Sequence, residues 1–296
     1  MSPAPAGPGD PVLFLVRERI KDLFRNLPLA MAGREEPIHQ IRVAARRLRV
    51  VLPLASPRPK GRKVRRALRD LKALTRAAGA SRDFDVAQKL LPQAIALWGG
   101  EPSPARSILS RRLRDARRRA RRRLTDGLLD FDIAGLRKDL RRITGHGGEE
   151  RFSALLHVRL MREEEGAELV AEMAALGERF DPEVLHEIRA RIRRLRYAAE
   201  FGAALAGAPP EAAKRFRELQ EILGELHDAW VLARWLEHQK GLAESRGRDE
   251  EAAEAARLES MSEDLSRALH AKYLDPSPVE RVRRALELVG RNLSVA

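Results

Sequence analysis

Two stretches of this sequence carry cationic side chains at a spacing suited to gripping an anion. In the first, P-I-H-Q-I-R-V-A-A-R-R-L-R-V-V-L-P-L-A from Pro37 to Ala55, an imidazole and three guanidiniums stand at His39, Arg42, Arg46 and Arg49. On a helix turning about 100° per residue they fall within an arc of roughly 80°, and Ile38, Ile41, Ala45, Leu48 and Leu52 fill the adjoining apolar sector. In the second, V-L-H-E-I-R-A-R-I-R-R-L-R-Y-A-A-E from Val184, the same intervals return at His186, Arg189, Arg193 and Arg196, with Ile188 and Leu195 repeating Ile41 and Leu48. Each ladder rises about 15 Å and offers a donor roughly every turn. Guanidiniums bind oxyanions bidentately, and each charge-assisted bond contributes on the order of 1.5 to 3 kcal/mol. Like charges at these intervals repel one another in the absence of ligand, so a cluster kept twice beside a core face points to a polyanion. Arg47 and Arg194 swing off the arc by roughly 80° and are expected at the surface.

The elements that must position these ladders are helices throughout. Met1 to Asp10, rich in Pro, Gly and Ala, reads as a disordered leader. Apolar periodicity predicts a helix from Val12 to Leu27, then the first ladder, then a helix from Lys63 to Ala78 carrying Arg69 and Lys72 and stopping at Gly79. Ser81 is placed to cap a following helix, and Arg82, Asp83 and Asp85 read as capping and inter-helix pairing. An arginine-dense helix runs from Pro104 to Leu124, with Arg111, Arg114, Arg118 and Arg121 on one edge. A short helix around Leu136 to Ile143 leads to Gly145-His146-Gly147-Gly148, a hinge between halves. The second half repeats the order: a helix from Phe152 to Leu176, the second ladder from Asp181 to Ala204, a break at Pro209-Pro210, and a helix from Glu211 to Leu223 carrying Lys214 and Arg217. Helices over 249–272 and 278–288 close the chain. The fold class is therefore all-α: two duplicated, pseudo-symmetric antiparallel bundles in one domain over 11–296, with repeats at about 11–145 and 150–296.

Composition limits the chemistry. The 296 residues hold 57 Lys+Arg against 43 Asp+Glu, a formal net charge of +14, and no cysteine. The excess is concentrated in residues 1–150, at +18, against −4 in residues 151–296. Such a balance predicts a polyanionic partner. The lack of cysteine removes disulfides, thiolate catalysis and Cys-based zinc sites, and fits a reducing, cytoplasmic setting. No apolar run is long enough to cross a bilayer, and no secretion signal opens the chain.

The ladders, with the G-x-x-R-D-x-D-V piece from Gly79 to Val86, resemble the CHAD domains, named for conserved histidines in an α-helical domain. The resemblance covers nearly the whole chain beyond the leader. It implies two helical bundles around a basic cavity and non-catalytic binding of inorganic polyphosphate, at a site that phosphate or sulfate ions would also occupy, with association with polyphosphate granules. The site residues it implies are His39, Arg42, Arg46, Arg49, Arg69, Lys72, Arg118 and Arg121 in the first half, and His186, Arg189, Arg193, Arg196, Lys214 and Arg217 in the second. The second repeat departs from the pattern, with His227 and Ala229-Trp230 where the first has Arg82 and Phe84-Asp85. The E-x-E-x-K signature of the triphosphate-tunnel hydrolases, to which some family members are fused, is missing.

Other chemistries fit less well. Zinc wants three or four neutral or anionic ligands, whereas the neighbours of His39 and His186 are cations. A histidine phosphoacceptor would need a nucleotide-binding loop, and none is present. No nucleophile has a partnered base, so catalysis is not expected, and no cofactor is implied. Nucleic acid is the serious alternative polyanion, opposed by the 4% aromatic content and the lack of a DNA-binding motif. His146, His157, His227, His238 and His270 lie outside the ladders and receive no role.

Overall fold

The structure, a computed structural model, describes residues 10–98, 103–144 and 151–294. Among these residues there are ten helices and no strand: α1 Pro11–Met31, α2 Glu35–Leu54, α3 Arg62–Trp98, α4 Pro104–Leu129, α5 Ile133–Thr144, α6 Arg151–Leu176, α7 Pro182–Ala206, α8 Glu211–Glu244, α9 Asp249–Leu274 and α10 Pro278–Ser294. The leader over 1–9 and the glycine hinge over 145–148 lie outside the described residues.

Local chemistry sets several of the boundaries. Asp10 accepts hydrogen bonds from the N–H groups of Val12 and Leu13, Asp181 accepts those of Glu183 and Val184, and Ser103 accepts that of Arg106. Each is followed by proline at the first helical position, where the missing N–H costs nothing. Gly207 ends α7 in the left-handed region at φ 68°, a conformation a Cβ would disfavour.

The helices pair in the same order in both halves. α1 packs on α2, α2 on α3, and α3 on α4 and α5; α6 packs on α7, α7 on α8, and α8 on α9 and α10. Across the halves α1 meets α6, α2 meets α7, α3 meets α8 and α4 meets α9, which is the arrangement a twofold relation between repeats produces. One continuous core takes Ile41 and Leu48 from α2 together with Ile188 and Leu195 from α7, all buried. A second cluster joins the far ends of the long helices, with Leu91 of α3, Leu109 and Leu113 of α4, Leu232 and Leu236 of α8 and Leu258 of α9.

Two expected breaks do not occur. α3 passes through Gly79 and Ser81 as one helix of 37 residues, and α8 passes through Gly224 as one of 34. A glycine inside a helix costs about 1 kcal/mol relative to alanine, which the burial of Ala87 and Leu91 beyond Gly79, and of Leu232 and Leu236 beyond Gly224, outweighs. Ser81 is therefore a buried mid-helix residue and caps nothing.

Candidate functional site

α2 and α7 lie against each other, and their basic edges divide into two zones. Toward the C-terminal part of the ladders a cavity of about 350 Å³ opens between α2, α3 and α7. Six cations line it: Arg46 and Arg49 from α2, Arg69 and Lys72 from α3, and Arg193 and Arg194 from α7. The remaining wall is Val50, Leu68, Ala190 and Tyr197, and no carboxylate takes part. Among the described residues, Arg194 alone of the six has an ion-pair partner, Glu165 at 2.6 Å.

The electrostatics follow from that imbalance. Burial, then Arg193 and Arg42, push the Arg46 guanidinium down to about 8; burial is also the main cause that lowers Arg193 to about 10. Burial, followed by the charge of Arg194, lowers Arg49 as well. These groups stay charged at neutral pH against their surroundings, a condition that an anion would relieve.

The N-terminal zone is compensated. Arg42 stands 3.9 Å from Asp83 of α3, and the strongest attraction on Arg189 comes from Asp228 of α8, the residue that the repeat aligns with Asp83. Burial pushes both carboxyls up and the facing arginines pull them down. Gly224 makes room for this contact: a Cβ there would lie 3.0 Å from an Nη of Arg189. The Nε atoms of Arg42 and Arg189 and Nδ1 of His39 are buried without a hydrogen-bond partner. His227, which lies outside the ladders and received no role from the sequence, stands beside His186, with the two Nδ1 atoms 3.1 Å apart.

A family model for the CHAD domain matches residues 15–237. The chain belongs to the CHAD domain family. The crystal structure of the CHAD domain from the plant Ricinus communis has the same fold, with a TM-score of 0.65 over 94% of this chain and 90% of that one at 21% identity. No match is found among curated proteins.

Within this CHAD domain the fourteen expected site residues do not converge on one place. Arg46, Arg49, Arg69, Lys72 and Arg193 meet at the cavity. His39, Arg42, His186 and Arg189 belong to the compensated zone beside it. Arg196 is turned away, 3.6 Å from Glu200 and stacked over the Tyr197 ring. Glu200 also takes Arg47 at 3.2 Å and Arg217 at 3.9 Å. In the repeat Glu200 occupies the position of Pro53, so the second half has a carboxylate where the first has none. That single difference explains why Arg196 and Arg217 are not mates of Arg49 and Lys72.

Lys214 and Arg118 are exposed and paired along their own helices, with Glu211 and Asp115. Arg121 bonds to the buried Asp85 at 2.9 Å, as does Arg117 at 2.5 Å. α4 packs on α3 and α9, so its inner arginines reach Asp85 and Glu35 at the start of α2 and not the cavity. Arg194, expected at the surface, keeps a side chain 38% exposed and paired with Glu165, yet it also lines the cavity together with Arg69 and Lys72 of α3. Its place depends on where a third helix runs, which ladder spacing does not encode.

Proposed function

We propose that this CHAD domain binds inorganic polyphosphate without transforming it, with the chain seated in the cavity between α2, α3 and α7. The observation that carries the reading is the convergence of six cations on one cavity with no carboxylate in its wall. An unbranched polyanion without bases or sugars needs closely spaced donors and little else, and free phosphate or sulfate would occupy the same positions more weakly. The setting that suits this activity is the cytosol, at polyphosphate granules; no helix among the described residues is long and apolar enough to cross a membrane.

Nucleic acid would need faces on which bases stack. Tyr197 is the aromatic residue at the cavity, and Arg196 and Arg47 already cover its ring, at 4.7 and 5.5 Å from the centroid. Calorimetry with defined-length polyphosphates beside a duplex DNA control tests the choice. Long-chain polyphosphate displaces DNA and the reverse exchange is poor. Replacing Arg42, Arg46, Arg189 and Arg193 together by glutamine lowers polyphosphate affinity by about a thousandfold, each arginine contributing on the order of 1 kcal/mol or more. Affinity within threefold of wild type in that variant refutes the reading.

A further inference from the structure

One of the differences between the two repeats lies beside the ladder histidines. In the first, Arg82 stands beside His39 and its charge acts directly on that imidazole, second only to burial. In the second, the aligned residue is His227, whose ring lies against His186 with centroids 4.3 Å apart. A permanent cation has been replaced by a group that carries charge only when protonated.

The geometry of the pair defines what it can do. With two Nδ1 atoms 3.1 Å apart, one ring donates its N–H and the other accepts with its lone pair. Both nitrogens cannot carry protons in this contact. A second proton therefore parts the rings and frees two N–H donors toward whatever anion lies between them. Trp230 lies near His227, with centroids 5.9 Å apart, and both imidazoles are only half-buried, so the pair remains open to a ligand.

We propose that His227 and His186 form a phosphate subsite of the second repeat that is completed by uptake of a proton, so that polyphosphate is held more tightly as the solution is acidified. This subsite rests on the polyphosphate reading. The groups facing His227 are His186, Arg189 and Arg193 of α7 and Arg42 of α2, with Asp228 on its own helix and Asp83 of α3 facing His186. Burial, then His186 and the arginines, push His227 down to about 3, and burial and Arg189 lower His186. The free pair is therefore uncharged at neutral pH. A phosphate placed between the rings reverses the sign of the local field and raises both groups.

A group whose pKa is higher in the complex than in the free protein takes up a proton on binding, and affinity then rises as pH falls. For one histidine returned to near 6.5 by the ligand, the gain between pH 7.5 and 5.5 is about tenfold. Protonation of Asp83 and Asp228 would add to the effect in more acidic solution, so the comparison is kept at or above pH 5.5.

The experiment is calorimetry with long-chain polyphosphate at pH 7.5 and 5.5, in buffers of different ionisation enthalpy, on wild type, H227Q and H227R. Wild type binds about tenfold tighter at pH 5.5 and takes up about one proton per site. H227R binds tightly at both pH values and H227Q weakly at pH 7.5, and each gains less on acidification than wild type does. R82H, which places the same chemistry in the first repeat, weakens binding at pH 7.5 and steepens its pH dependence, and it serves if either His227 variant fails to fold. Acid strengthening of H227Q equal to that of wild type overturns the subsite while leaving polyphosphate binding intact. Failure of wild type to bind polyphosphate at either pH overturns both.

Discussion

Arg46 is the residue at which stability and binding are set against each other most directly. It is held at about 8 by burial and by Arg193 and Arg42, and no carboxylate lines its cavity. The gap between that value and an ordinary arginine corresponds to roughly 6 kcal/mol of unfavourable interaction. Water in the open cavity screens most of it, and about one third, ~2 kcal/mol, is the quantity to test. Arg46→Met keeps the side-chain stem against the core and removes the charge. The ligand-free variant is expected to gain ~2 kcal/mol of stability, a rise of roughly 5 °C in Tm for a chain of this size. Its affinity for polyphosphate is expected to fall by about 30-fold, the loss of one charge-assisted contact of ~2 kcal/mol. Thermal unfolding with and without ligand, beside calorimetry, reads both quantities on the same samples. Opposite signs are the signature of a charge kept for binding at the expense of folding. A variant that is less stable than wild type and binds equally well refutes the reasoning, because it makes Arg46 a structural residue.

Arg196 supplies the contrasting case: Arg196→Met leaves Glu200 short of one of its cations and is expected to destabilise the fold by about 2 kcal/mol in thermal melts, while polyphosphate affinity changes by less than threefold. Gly224→Ala removes a mid-helix glycine worth about 1 kcal/mol of helix propensity but places a Cβ 3.0 Å from Arg189, so unfolding should show unchanged or higher stability and calorimetry a loss of several-fold in affinity. The pH dependence of stability between pH 7.5 and 5.5 comes from His39, His186, His227 and His270, all lowered below the ordinary histidine value by burial, which nearby arginines reinforce at the first three. The unfolded chain binds protons at these sites before the folded one does, so their contribution is fully present above pH ~6.5 and is lost as pH falls, by up to about 1.4 kcal/mol per pH unit for each group. Asp83 and Asp228, shifted upward, oppose this trend only nearer the carboxyl range. Urea unfolding of the ligand-free protein at pH 7.5, 6.5 and 5.5 checks the sign, and stability that rises on acidification contradicts it.

Much of this protein was legible before any coordinates, because helix periodicity, capping and duplication are local properties. The apolar sector of each ladder is buried as the spacing requires, and Asp10, Asp181, Pro104 and Pro209-Pro210 bound helices for reasons contained in a few neighbouring residues. The pairing of Arg42 with Asp83 joins a ladder to the piece that follows it in the repeat, and both belong to motifs visible in the chain. What the tertiary structure decided is which charges remain uncompensated. That outcome depends on residues distant in sequence: Glu200 drawing in Arg47, Arg196 and Arg217, Asp85 and Glu35 holding α4, and α3 bringing Arg69 and Lys72 to the cavity that Arg193 and Arg194 of α7 also line. The continuity of α3 and α8 through their glycines was hidden for the same reason, since burial at their far ends outweighs a local penalty. A sequence states where each charge lies along its own helix; the electrostatic field at a site is a sum over helices, and only their packing sets the terms.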